Sequence, residues 1–437
     1  MAGGLGTRMR SSVPKHLHPL LGRRVVDWVI EAAGAAGADR IVLVASPDTR
    51  DEYEGMEVAV QAEPRGTGDA VAAARETLAG FDGRVLVLDA AAPLLTEEHL
   101  SALVAEHEAQ GATATILSFV SERELPYGRI LRSPDGAVSA IVEERDATEE
   151  QKAIRELNSS IYVFESGPLW SALERIDAHN AQGEHYLTDT IAYIVTEGGR
   201  AAAWICPDER STLGINTRAE LAVAAGVLRD RINEAHMLAG VTIVDPTSAW
   251  IDFGVTLEAD AVVHPFTVLR GATTVGVGAE IGPHVVAVDT AIGEGAIVGP
   301  FCYLRPGTVL EAGAKAGTFV EIKNSRIGAG SKVPHLSYIG DADIGKDTNI
   351  AAGNVTANFA HQPGRGKGRT TIGRNVRTGV DNTFRAPVTV GDDVWIAAGT
   401  VVTDDVPPGS LVGFPPRQVT KEGWVYEHGN EGDDGDD

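Results

Sequence analysis

Residues 251–281 read IDFGVTLEADAVVHPFTVLRGATTVGVGAEI, and in this stretch an aliphatic residue returns at every sixth position. A period of six fits neither an α-helix, which repeats every 3.6 residues, nor a β-strand, which repeats every two. It is typical of a coil with three flat faces, each contributing one short strand and one inward aliphatic side chain. The positions are Ile251, Leu257, Val263, Leu269, Val275 and Ile281.

The same period continues toward the C-terminus after a slip of one residue. One coil cannot bury its own core, so the pattern predicts stacked coils of parallel strands through the second half of the chain. An antiparallel sandwich is the alternative, but its strands would alternate and be broken by turns roughly every 8 to 12 residues. The later positions are Ile292, Val298 and Leu304, and then Ile372, Thr378, Phe384, Val390, Ile396 and Val402.

The composition indicates a soluble globular protein of two or three domains, with 437 residues and 43% hydrophobic residues. We find no apolar run of about 18 residues and no signal-peptide pattern. The formal charge of −24 argues against binding nucleic acid or an anionic membrane, so anionic substrates would need local basic pockets. Cys206 and Cys302 lie in different halves and predict neither a disulfide nor a metal cluster.

The first half alternates helical and strand patterns, which predicts a layered α/β domain. It opens with MAGGLGTRMRSSVPKHLHPLLG, in which three glycines precede Arg8 and Lys15. Glycines allow backbone N–H groups to approach phosphate oxygens, and the two cations supply the charge that a triphosphate requires. Taken alone, this loop is also compatible with a plain turn.

Longer motifs give a more specific interpretation. GTRM, PK and LH are followed by QAEPRGTGDA from Gln61, PYGRI from Pro126, IVEERDA from Ile141, ELNSSIYVF from Glu156, GEHYLTDT from Gly183 and GINTR from Gly214. The second half carries SKVPHLSYIGDADIG from Ser331. Together these motifs resemble the bifunctional N-acetylglucosamine-1-phosphate uridylyltransferase and glucosamine-1-phosphate N-acetyltransferase family over nearly the whole chain.

The resemblance implies a Rossmann-like nucleotidyltransferase domain over residues 1–215 and a left-handed parallel β-helix of hexapeptide repeats over 241–424. The first strand of that nucleotidyltransferase domain is missing here, because Met1 already lies at the glycine loop. Residues 216–240 are expected to form a linker helix, with Thr217 and Glu220 as a capping box. Residues 425–437 are expected to be an acidic disordered tail.

For the second half, the resemblance implies acetyl transfer from acetyl-CoA to glucosamine 1-phosphate, with His335 as the catalytic base. Histidine suits this role because its side chain titrates near neutral pH. We expect Glu321 to be a counter-charge for Lys323. The implied sugar-phosphate contacts are Arg305, Lys323, Tyr338 and Asn349, and the implied acetyl-CoA contacts are Ala352, Asn358, Phe359, Ala398 and Arg417.

Two features of the second half bear on cofactor binding. Phe359 and Val380 replace a Tyr and a Ser of the family, which predicts a cofactor groove with two fewer hydroxyl groups. The basic loop AHQPGRGKGR, residues 360–369, is expected to reach toward the cofactor of a neighbouring subunit in a homotrimer.

For the first half, the resemblance implies uridylyl transfer from UTP to N-acetylglucosamine 1-phosphate with Mg²⁺. Ala91 stands where the family has its metal-binding Asp, which leaves Asn216 as the matched metal contact and puts the reaction in question. Asp89 lies about 6.5 Å away along the strand and could substitute only if the metal moved or coordinated through water. Pro64 and Ser160 replace a Gln and a Gly of the family. The implied nucleotide-sugar contacts are Gly4, Arg8, Lys15, Gln61, Gly66, Thr67, Gly128, Glu143, Asn158 and Asn216.

Three functions therefore follow from the sequence. The first is a cytoplasmic bifunctional enzyme that makes UDP-N-acetylglucosamine for peptidoglycan. The second is an acetyltransferase with a degenerate nucleotidyltransferase domain, and the third is a non-catalytic nucleotide-sugar-binding protein. Ala91 separates the first two, and His335 with its neighbours argues against the third.

Overall fold

The computed structural model describes residues 1–4, 6–359, 366–413 and 418–428. The chain divides into two compact units, Met1–Arg229 and Asp230–Asp437. The division falls inside one helix, so the predicted domain boundaries stay predictions. Within the described residues, no helix combines the length and hydrophobicity that crossing a bilayer requires.

The first unit is an α/β unit. Its α-helices are α1 (Val25–Ala35), α2 (Thr67–Ala73), α3 (Glu97–Ala109), α4 (Glu149–Lys152), α5 (Ser166–Leu173) and α6 (Asp189–Thr196). Short 3₁₀ helices cover Thr7–Met9, Lys15–Leu17, Arg50–Tyr53 and Glu209–Thr212. The strands are β1 (Pro19–Leu20), β2 (Arg23–Arg24), β3 (Val42–Ala45), β4 (Glu57–Val60), β5 (Arg84–Val87), β6 (Ala114–Val120), β7 (Arg129–Arg132), β8 (Val138–Val142), β9 (Glu156–Glu165) and β10 (Ala201–Ile205).

The long strand β9 organises the larger sheet of this unit. One edge of β9 pairs with β6, and β5 and β7 also pair with it, all three antiparallel. β10 adds to β6 in parallel, and β8 adds to β7. β9 is buried over most of its length, and Tyr162 and Phe164 are among its fully buried side chains. The core of the unit therefore lies on both sides of this sheet.

β3 and β4 form a separate parallel pair. Met1 and Ala2 are the residues that connect this pair with β5. The Met1 nitrogen donates to Leu88 O at 2.7 Å, and the Ala2 nitrogen donates to Val44 O at 2.7 Å. An isolated parallel bridge joins Ala2 to Ala45.

The second unit is a parallel β-helix. Its strands β11 to β36 are, in order, Thr242–Ile243, Trp250–Ile251, Thr256–Leu257, Val262–Val263, Val268–Arg270, Thr274–Val275, Glu280–Ile281, Val286–Val288, Ala291–Ile292, Ile297–Val298, Tyr303–Leu304, Val309–Leu310, Lys315–Thr318, Glu321–Lys323, Arg326–Ile327, Lys332–His335, Tyr338–Gly340, Ala342–Ile344, Val355–Ala357, Thr370–Ile372, Arg377–Thr378, Thr383–Arg385, Val388–Val390, Trp395–Ile396, Val401–Val402 and Leu411–Val412.

Three sheets form the faces of the coil, and each strand pairs in parallel with the strand one coil away. Face A contains β11, β14, β17, β20, β23 and β26, and bridges through Asn349 link it to β31, β34 and β36. Face B runs from β12 through β21, β24 and β27 to β35, and face C runs from β13 to β33. The predicted stacking of coils is confirmed.

The predicted inward positions form the core of this unit. Residues such as Ile251, Val263 and Leu304 have no exposed surface, and Phe384 occupies the same kind of position in the later coils. Leu257 is only half-buried, because its strand β13 is the first on face C and has a neighbour on one side only. Each further coil therefore extends one continuous hydrophobic column.

Helix α7 (Arg218–Leu238) lies within the range expected for the linker helix, and its role as a linker stays a prediction. The Glu220 nitrogen donates to Thr217 Oγ1 at 3.2 Å, and the Thr217 nitrogen donates to Glu220 Oε2 at 2.8 Å. A short helix α8 (Trp424–His428) stands where the acidic tail was expected to begin, and residues 429–437 lie outside the described part.

Candidate functional site

Two cations implied to bind the sugar phosphate lie on adjacent coils of face B. The Arg305 nitrogen donates to Ile322 O at 2.8 Å, and Lys323 follows Ile322 on β24. Arg305 therefore lies one coil from Lys323, a strand spacing of about 4.8 Å. Because both follow the buried residue of their strand, both belong on the outer surface of the face. The stacked strands place two positive charges side by side.

Glu321 pairs with Arg305, so its predicted pairing with Lys323 is wrong. Arg305 Nη1 donates to Glu321 Oε1 at 2.9 Å, and this hydrogen bond raises the pKa of Arg305. The reason is the register: Glu321 pairs with Tyr303 of the coil below, which brings its carboxylate within reach of the long Arg305 side chain. Lys323 is therefore available to another anion.

Lys367 is a third cation at this site, and the sequence analysis did not single it out. The Lys323 ammonium group lies close enough to lower the pKa of Lys367. Two like charges held together on a surface favour a bound anion. The signal in the sequence was the basic loop itself, whose residues 360–365 lie outside the described part.

A buried carboxylate lies behind these lysines. Asp341 accepts a hydrogen bond from Asn324 Nδ2 at 2.6 Å and another from Asn358 Nδ2. Burial alone would raise the pKa of Asp341, but the two amides and the nearby Lys323 and Lys367 together lower it. Asn358 was implied to contact acetyl-CoA, yet its buried side-chain amide is already used by Asp341.

The Tyr338 side chain lies across Gly340. A Cβ atom added to Gly340 would lie 2.4 Å from Tyr338 Oη and 2.8 Å from Asn358 Nδ2, so no larger residue fits beneath the phenol. Gly340 pairs with Lys323 on the neighbouring coil. The phenolic hydroxyl therefore lies over the position that is aligned with Lys323, where it can bind an oxygen of the same ligand.

His335 is exposed at the end of β26, where the chain turns from face A to face B. Leu336 makes the corner in the left-handed conformation, with φ 43°, and Tyr338 then begins face B. The imidazole is therefore on the surface and not in the hydrophobic interior. It is separated from Tyr338 by this one corner.

In the coils that follow, residues with short side chains occupy the position equivalent to His335. Lys332 pairs with Asn349, and the same register places Ala352 one coil above His335. The pairing of Asn349 with Arg377 then places Val380 above Ala352, and that of Thr378 with Ile396 places Ala398 above Val380. A column of short side chains thus begins at His335. Of the other implied cofactor contacts, Phe359 is 63% exposed and Arg417 lies outside the described residues.

The glycine loop of the first unit packs closely on its neighbours. A Cβ atom on Gly3 would lie 2.5 Å from Gln61 Oε1, whereas Gly4 has open space around it. Gly6 has a φ of 57° and lies against the Lys15 side chain. Gln61 is buried and donates to Gly66 O at 3.1 Å and to Asp69 Oδ2 at 2.9 Å. Arg8 is exposed.

The Lys15 side chain lies between two side-chain oxygens that could bind a metal ion. Its ammonium nitrogen lies 3.6 Å from Asp89 Oδ2 and 3.4 Å from Asn216 Oδ1. Burial alone would raise the pKa of Asp89, but Lys15, the Ala91 N–H group and the Met1 amino group together lower it. Asp89 is therefore ionised at neutral pH. Nowhere in the described part of the chain do three His, Cys, Asp or Glu side chains cluster as metal ligands.

Ala91 itself is fully buried and has no side-chain oxygen to offer. It packs with Met9, Leu94 and Ile215 in an apolar cluster, and the Ile215 nitrogen donates to its carbonyl at 2.7 Å. The carboxylate of Asp89 turns back to accept from the Ala91 nitrogen at 2.9 Å. Although Asp89 and Ala91 are two residues apart, the chain has left β5 and turns, which directs Asp89 toward Lys15.

The remaining implied contacts have defined structural partners. Gly66 has a φ of 118° and lies against His185 O, and Thr67 Oγ1 accepts from the Leu187 nitrogen at 3.0 Å. Burial raises the pKa of Glu143, which accepts from Thr188 Oγ1 at 3.1 Å.

Gly128 and Asn158 are hydrogen-bonded to each other through their backbones at 2.9 Å, and Asn158 Nδ2 donates to Tyr162 Oη at 2.8 Å. Ser160, which follows Asn158 on the same strand, has a φ of 65°. Ser160 therefore has a left-handed backbone conformation, which the Gly found at this position in the family adopts without strain.

Comparison with known proteins agrees with both units. A family model for a MobA-like NTP transferase domain matches residues 1–181. The bifunctional protein GlmU of Mycolicibacterium vanbaalenii is 46% identical over 453 residues, covering 97% of this chain and 92% of that protein. This chain belongs to the GlmU family. The GlmU of Streptomyces avermitilis is also 46% identical, over 97% of this chain and 93% of that protein, and the GlmU of Caldanaerobacter subterraneus is 42% identical, over 98% and 97%.

Membership of the GlmU family leaves the individual residue roles as hypotheses. The structure brings Arg305, Lys323 and Tyr338 together on face B, and it places His335 at the adjoining corner. It also brings Lys15, Asp89 and Asn216 together in the first unit. Gly340 was not among the sequence candidates, because a glycine has no recognisable role until the backbone shows which side chain lies over it.

Proposed function

We propose that the C-terminal unit of this GlmU-family chain transfers the acetyl group of acetyl-CoA to the amine of glucosamine 1-phosphate. The observation that supports this most is the exposed His335 beside a cationic row on one side and a column of small residues on the other. In this mechanism the amine nitrogen attacks the thioester carbonyl and the imidazole takes the proton of the nitrogen. The proton then passes to the departing CoA thiolate.

Arg305, Lys323 and Lys367 bind the sugar phosphate in this proposal. Arg305 remains tied to Glu321, so it supplies a fixed charge, whereas the two lysines repel each other until an anion lies between them. Tyr338 and Asn349 orient the sugar hydroxyl groups. The substrate amine is thereby positioned near His335, and positioning of this kind contributes a large part of many enzymatic rates.

The pantetheine arm of the cofactor lies along the column Ala352, Val380 and Ala398. Short side chains leave room for an extended thiol-bearing chain that ends at His335. Because Phe359 and Val380 carry no hydroxyl group, we propose that binding of acetyl-CoA relies more on apolar contact than in relatives with Tyr and Ser there. A lowered KM for acetyl-CoA in Phe359→Tyr would support this, and an unchanged KM would contradict it.

We further propose that the N-terminal unit transfers the uridylyl group of UTP to N-acetylglucosamine 1-phosphate and releases pyrophosphate. The open space at Gly4 leaves room for phosphate oxygens, and Arg8 and Lys15 supply charge. In this proposal Gln61, held by Gly66 and Asp69, contacts the base, and Glu143 and Asn158 contact the sugar.

The donor set fits a Mg²⁺ ion. One ionised carboxylate, Asp89, and one amide oxygen, Asn216, lie on either side of Lys15, and Mg²⁺ in nucleotide sites typically takes one or two carboxylates together with phosphates and water. When bound, the ion offsets negative charge on the triphosphate and orients it. We propose that Asp89 takes the role that Ala91 cannot, and that Lys15 then binds phosphate.

Two assays on one preparation test both reactions. The first follows acetyl-CoA consumption with glucosamine 1-phosphate, and the second follows pyrophosphate release from UTP and N-acetylglucosamine 1-phosphate with Mg²⁺. Asp89→Asn should lower pyrophosphate release about 100-fold or more and weaken Mn²⁺ binding, while leaving acetyl transfer unchanged. If wild-type protein releases no pyrophosphate, the second candidate holds: an acetyltransferase whose first unit is a scaffold, as the buried Ala91 favours.

A homotrimer and a cytoplasmic location complete the proposal. One corner of the β-helix carries an exposed aromatic ladder, Phe266, His284, Phe301 and Phe319, whose ring centroids are 4.8, 4.8 and 5.3 Å apart. An exposed apolar strip of this kind is typical of an interface. Its position beside face B supports assembly of the site between subunits.

The substrates are cytoplasmic metabolites, and both cysteines are free thiols, which suits a reducing compartment.

A further inference from the structure

The two ends of the basic loop meet on the surface of the β-helix. The chain enters the loop through Asn358, after β29, and Gly368 leads it back to β30. The Gly368 nitrogen donates to Asn358 O at 2.9 Å, so a backbone hydrogen bond joins the two ends. Lys367 directly precedes Gly368, and its position beside Lys323 therefore depends on how this joint is held.

Asp341 holds the outgoing end of the loop. It occupies the corner between β27 and β28 and is 8% exposed. One of its carboxylate oxygens accepts a hydrogen bond from Asn358 Nδ2, and the other accepts from Asn324 Nδ2 at 2.6 Å. Asn324 is the residue after Lys323. The carboxylate of Asp341 therefore ties the strand that carries Lys323 to the residue at which the loop begins.

Arg369 holds the returning end of the loop. Its Nη2 donates to Asp343 Oδ1 at 2.6 Å and its Nε donates to the other carboxylate oxygen. This bidentate arrangement fixes the orientation of a guanidinium group as well as its place. Arg369 Nη1 also donates to Asn324 O at 3.3 Å. The returning end is thus tied to the same residue, Asn324, as the outgoing end.

The backbone of the joint is also packed tightly. A Cβ atom added to Gly368 would lie 2.7 Å from the Ala386 carbonyl carbon and 2.7 Å from the Pro387 nitrogen, on the next coil. The Thr370 nitrogen donates to Asp341 O at 3.1 Å. The lysine before Gly368 is therefore attached to backbone that has neighbours on the coil before it and on the coil after it.

The ion pair of Arg369 with Asp343 is better suited to positioning the loop than to stabilising the fold. The two side chains are 45% and 43% exposed, and ion pairs at such exposure contribute little to the free energy of unfolding. A second exposed pair, Arg374 with Asp392, joins two coils further along the chain. What distinguishes Arg369 is its additional bond to Asn324 O, next to one of the two lysines.

We propose that a clamp of three residues positions Lys367 beside Lys323 and thereby raises the affinity of the C-terminal unit for the phosphate of its substrate. The clamp consists of Asp341, Asp343 and Arg369, which are positioning residues because they act through Lys367. The inference rests on the proposed acetyl transfer to glucosamine 1-phosphate. Two lysines that are not held together move apart, and a bound phosphate must then supply the free energy that brings them back. Holding them in place before binding removes this cost.

Steady-state acetyl transfer by a charge-neutral double variant is the first test. Arg369→Gln with Asp343→Asn removes the ion pair without changing the net charge, so the long-range attraction for phosphate is kept. We expect the KM for glucosamine 1-phosphate to rise about fivefold, with kcat within about twofold of the wild type and the KM for acetyl-CoA unchanged. Arg374→Gln with Asp392→Asn is the matched control and should give wild-type constants.

Asp341→Ala separates positioning from charge. Removing a carboxylate near the lysines makes the site more positive, so charge alone predicts a lower KM for glucosamine 1-phosphate. Loss of the clamp predicts a higher KM, and we expect a rise of about fivefold. A lower KM in Asp341→Ala would exclude Asp341 from the clamp.

A double-mutant cycle with Lys367 shows whether the clamp acts through this lysine. Lys367→Ala alone should raise the KM for glucosamine 1-phosphate about tenfold. In the Lys367→Ala background, Arg369→Gln with Asp343→Asn should cause no further rise, because no lysine remains to be positioned. A further rise of about fivefold in that background, or an unchanged KM when Lys367 is present, would overturn the proposal.

Calorimetric titration with glucosamine 1-phosphate distinguishes failure of the clamp from failure of the proposed acetyl transfer. The Kd of Arg369→Gln with Asp343→Asn should exceed the wild-type value about fivefold, and that of the control variant should equal it. Wild-type protein that binds with this pattern but transfers no acetyl group would contradict the proposed function and leave the clamp supported. Acetyl transfer by the wild type with equal Kd values in all three proteins would overturn the clamp alone, and absence of binding would overturn both.

Discussion

At the residue scale, the sequence predicted which residues are functional candidates better than it predicted which groups surround each of them. His335 was found because its neighbours form a recognisable string, and the structure then placed it on the surface at a corner. The partner of Glu321 could not be predicted, because it depends on which residues of the adjacent coil lie close to its carboxylate. The structure shows that this residue is Arg305. The sequence raised Asp89 as a substitute metal ligand, but the direction of its side chain required coordinates, since it is set by the turn after β5.

His16 should make the first unit sensitive to acid. Its side chain is 1% exposed, neither ring nitrogen has a partner, and burial lowers its pKa to about 4. Between about pH 6.5 and pH 4 the unfolded chain takes up a proton that the folded chain does not, so stability is full above this window and falls as the pH is lowered through it. We expect a loss of about 3 kcal/mol attributable to His16.

The measurement is urea unfolding at pH 7 and pH 4.5. His16→Phe, which keeps the stacking on Tyr53, should remove most of that pH dependence. His179→Phe is the control, because His179 is exposed and its replacement should leave the dependence as it is. An equal loss of stability in wild type and His16→Phe would show that another group is responsible.

Ser160 should be a source of backbone strain. With a φ of 65° it occupies the left-handed region, which costs a residue other than glycine roughly 1 to 2 kcal/mol. Ser160→Gly should therefore raise the free energy of unfolding by about 1 kcal/mol. Ser159→Gly, a change at a neighbour whose hydroxyl group donates to Leu117 O, should lower it. Loss of stability in Ser160→Gly would contradict this interpretation.

At the element scale, the six-residue period predicted the strands and their inward residues, because repeated coils impose the same environment at each turn. It did not predict what happens at the corners. Gly340 is an ordinary strand residue in sequence, yet its missing side chain is what admits the Tyr338 phenol. Lys367 became a candidate only when face B brought it to Lys323.

Replacing Gly340 should therefore affect substrate binding. In Gly340→Ala the new methyl group displaces the phenol of Tyr338 and crowds Asn358. We expect the KM for glucosamine 1-phosphate to rise about tenfold, which corresponds to loss of one good hydrogen bond. Steady-state acetyl transfer measures this change. Gly226→Ala in α7, where an added Cβ meets no atom within 4 Å, is the control, and an unchanged KM in Gly340→Ala would remove Tyr338 from the site.

At the scale of the whole molecule, the architecture of two units followed from the change of pattern between the halves. The aromatic ladder did not follow from it, since its members are spaced by a full coil in the sequence.

The aromatic ladder should be required for assembly. Phe301→Glu places a charge in the middle of it, and we expect the protein to change from trimer to monomer, as measured by light scattering on a size-exclusion column. Val277→Glu is the matched control, because Val277 is similarly exposed at a different corner of the β-helix. A trimer that persists in Phe301→Glu would exclude the ladder as the interface.

The most direct test of the account is acetyl transfer by His335→Ala. Because the imidazole accepts the amine proton, kcat should fall about 10² to 10⁴-fold. Pyrophosphate release by the same preparation should match that of the wild type and show that the protein is folded. Acetyl transfer within a few-fold of the wild-type rate would contradict the assignment of His335 as the base, and with it the proposed site on face B.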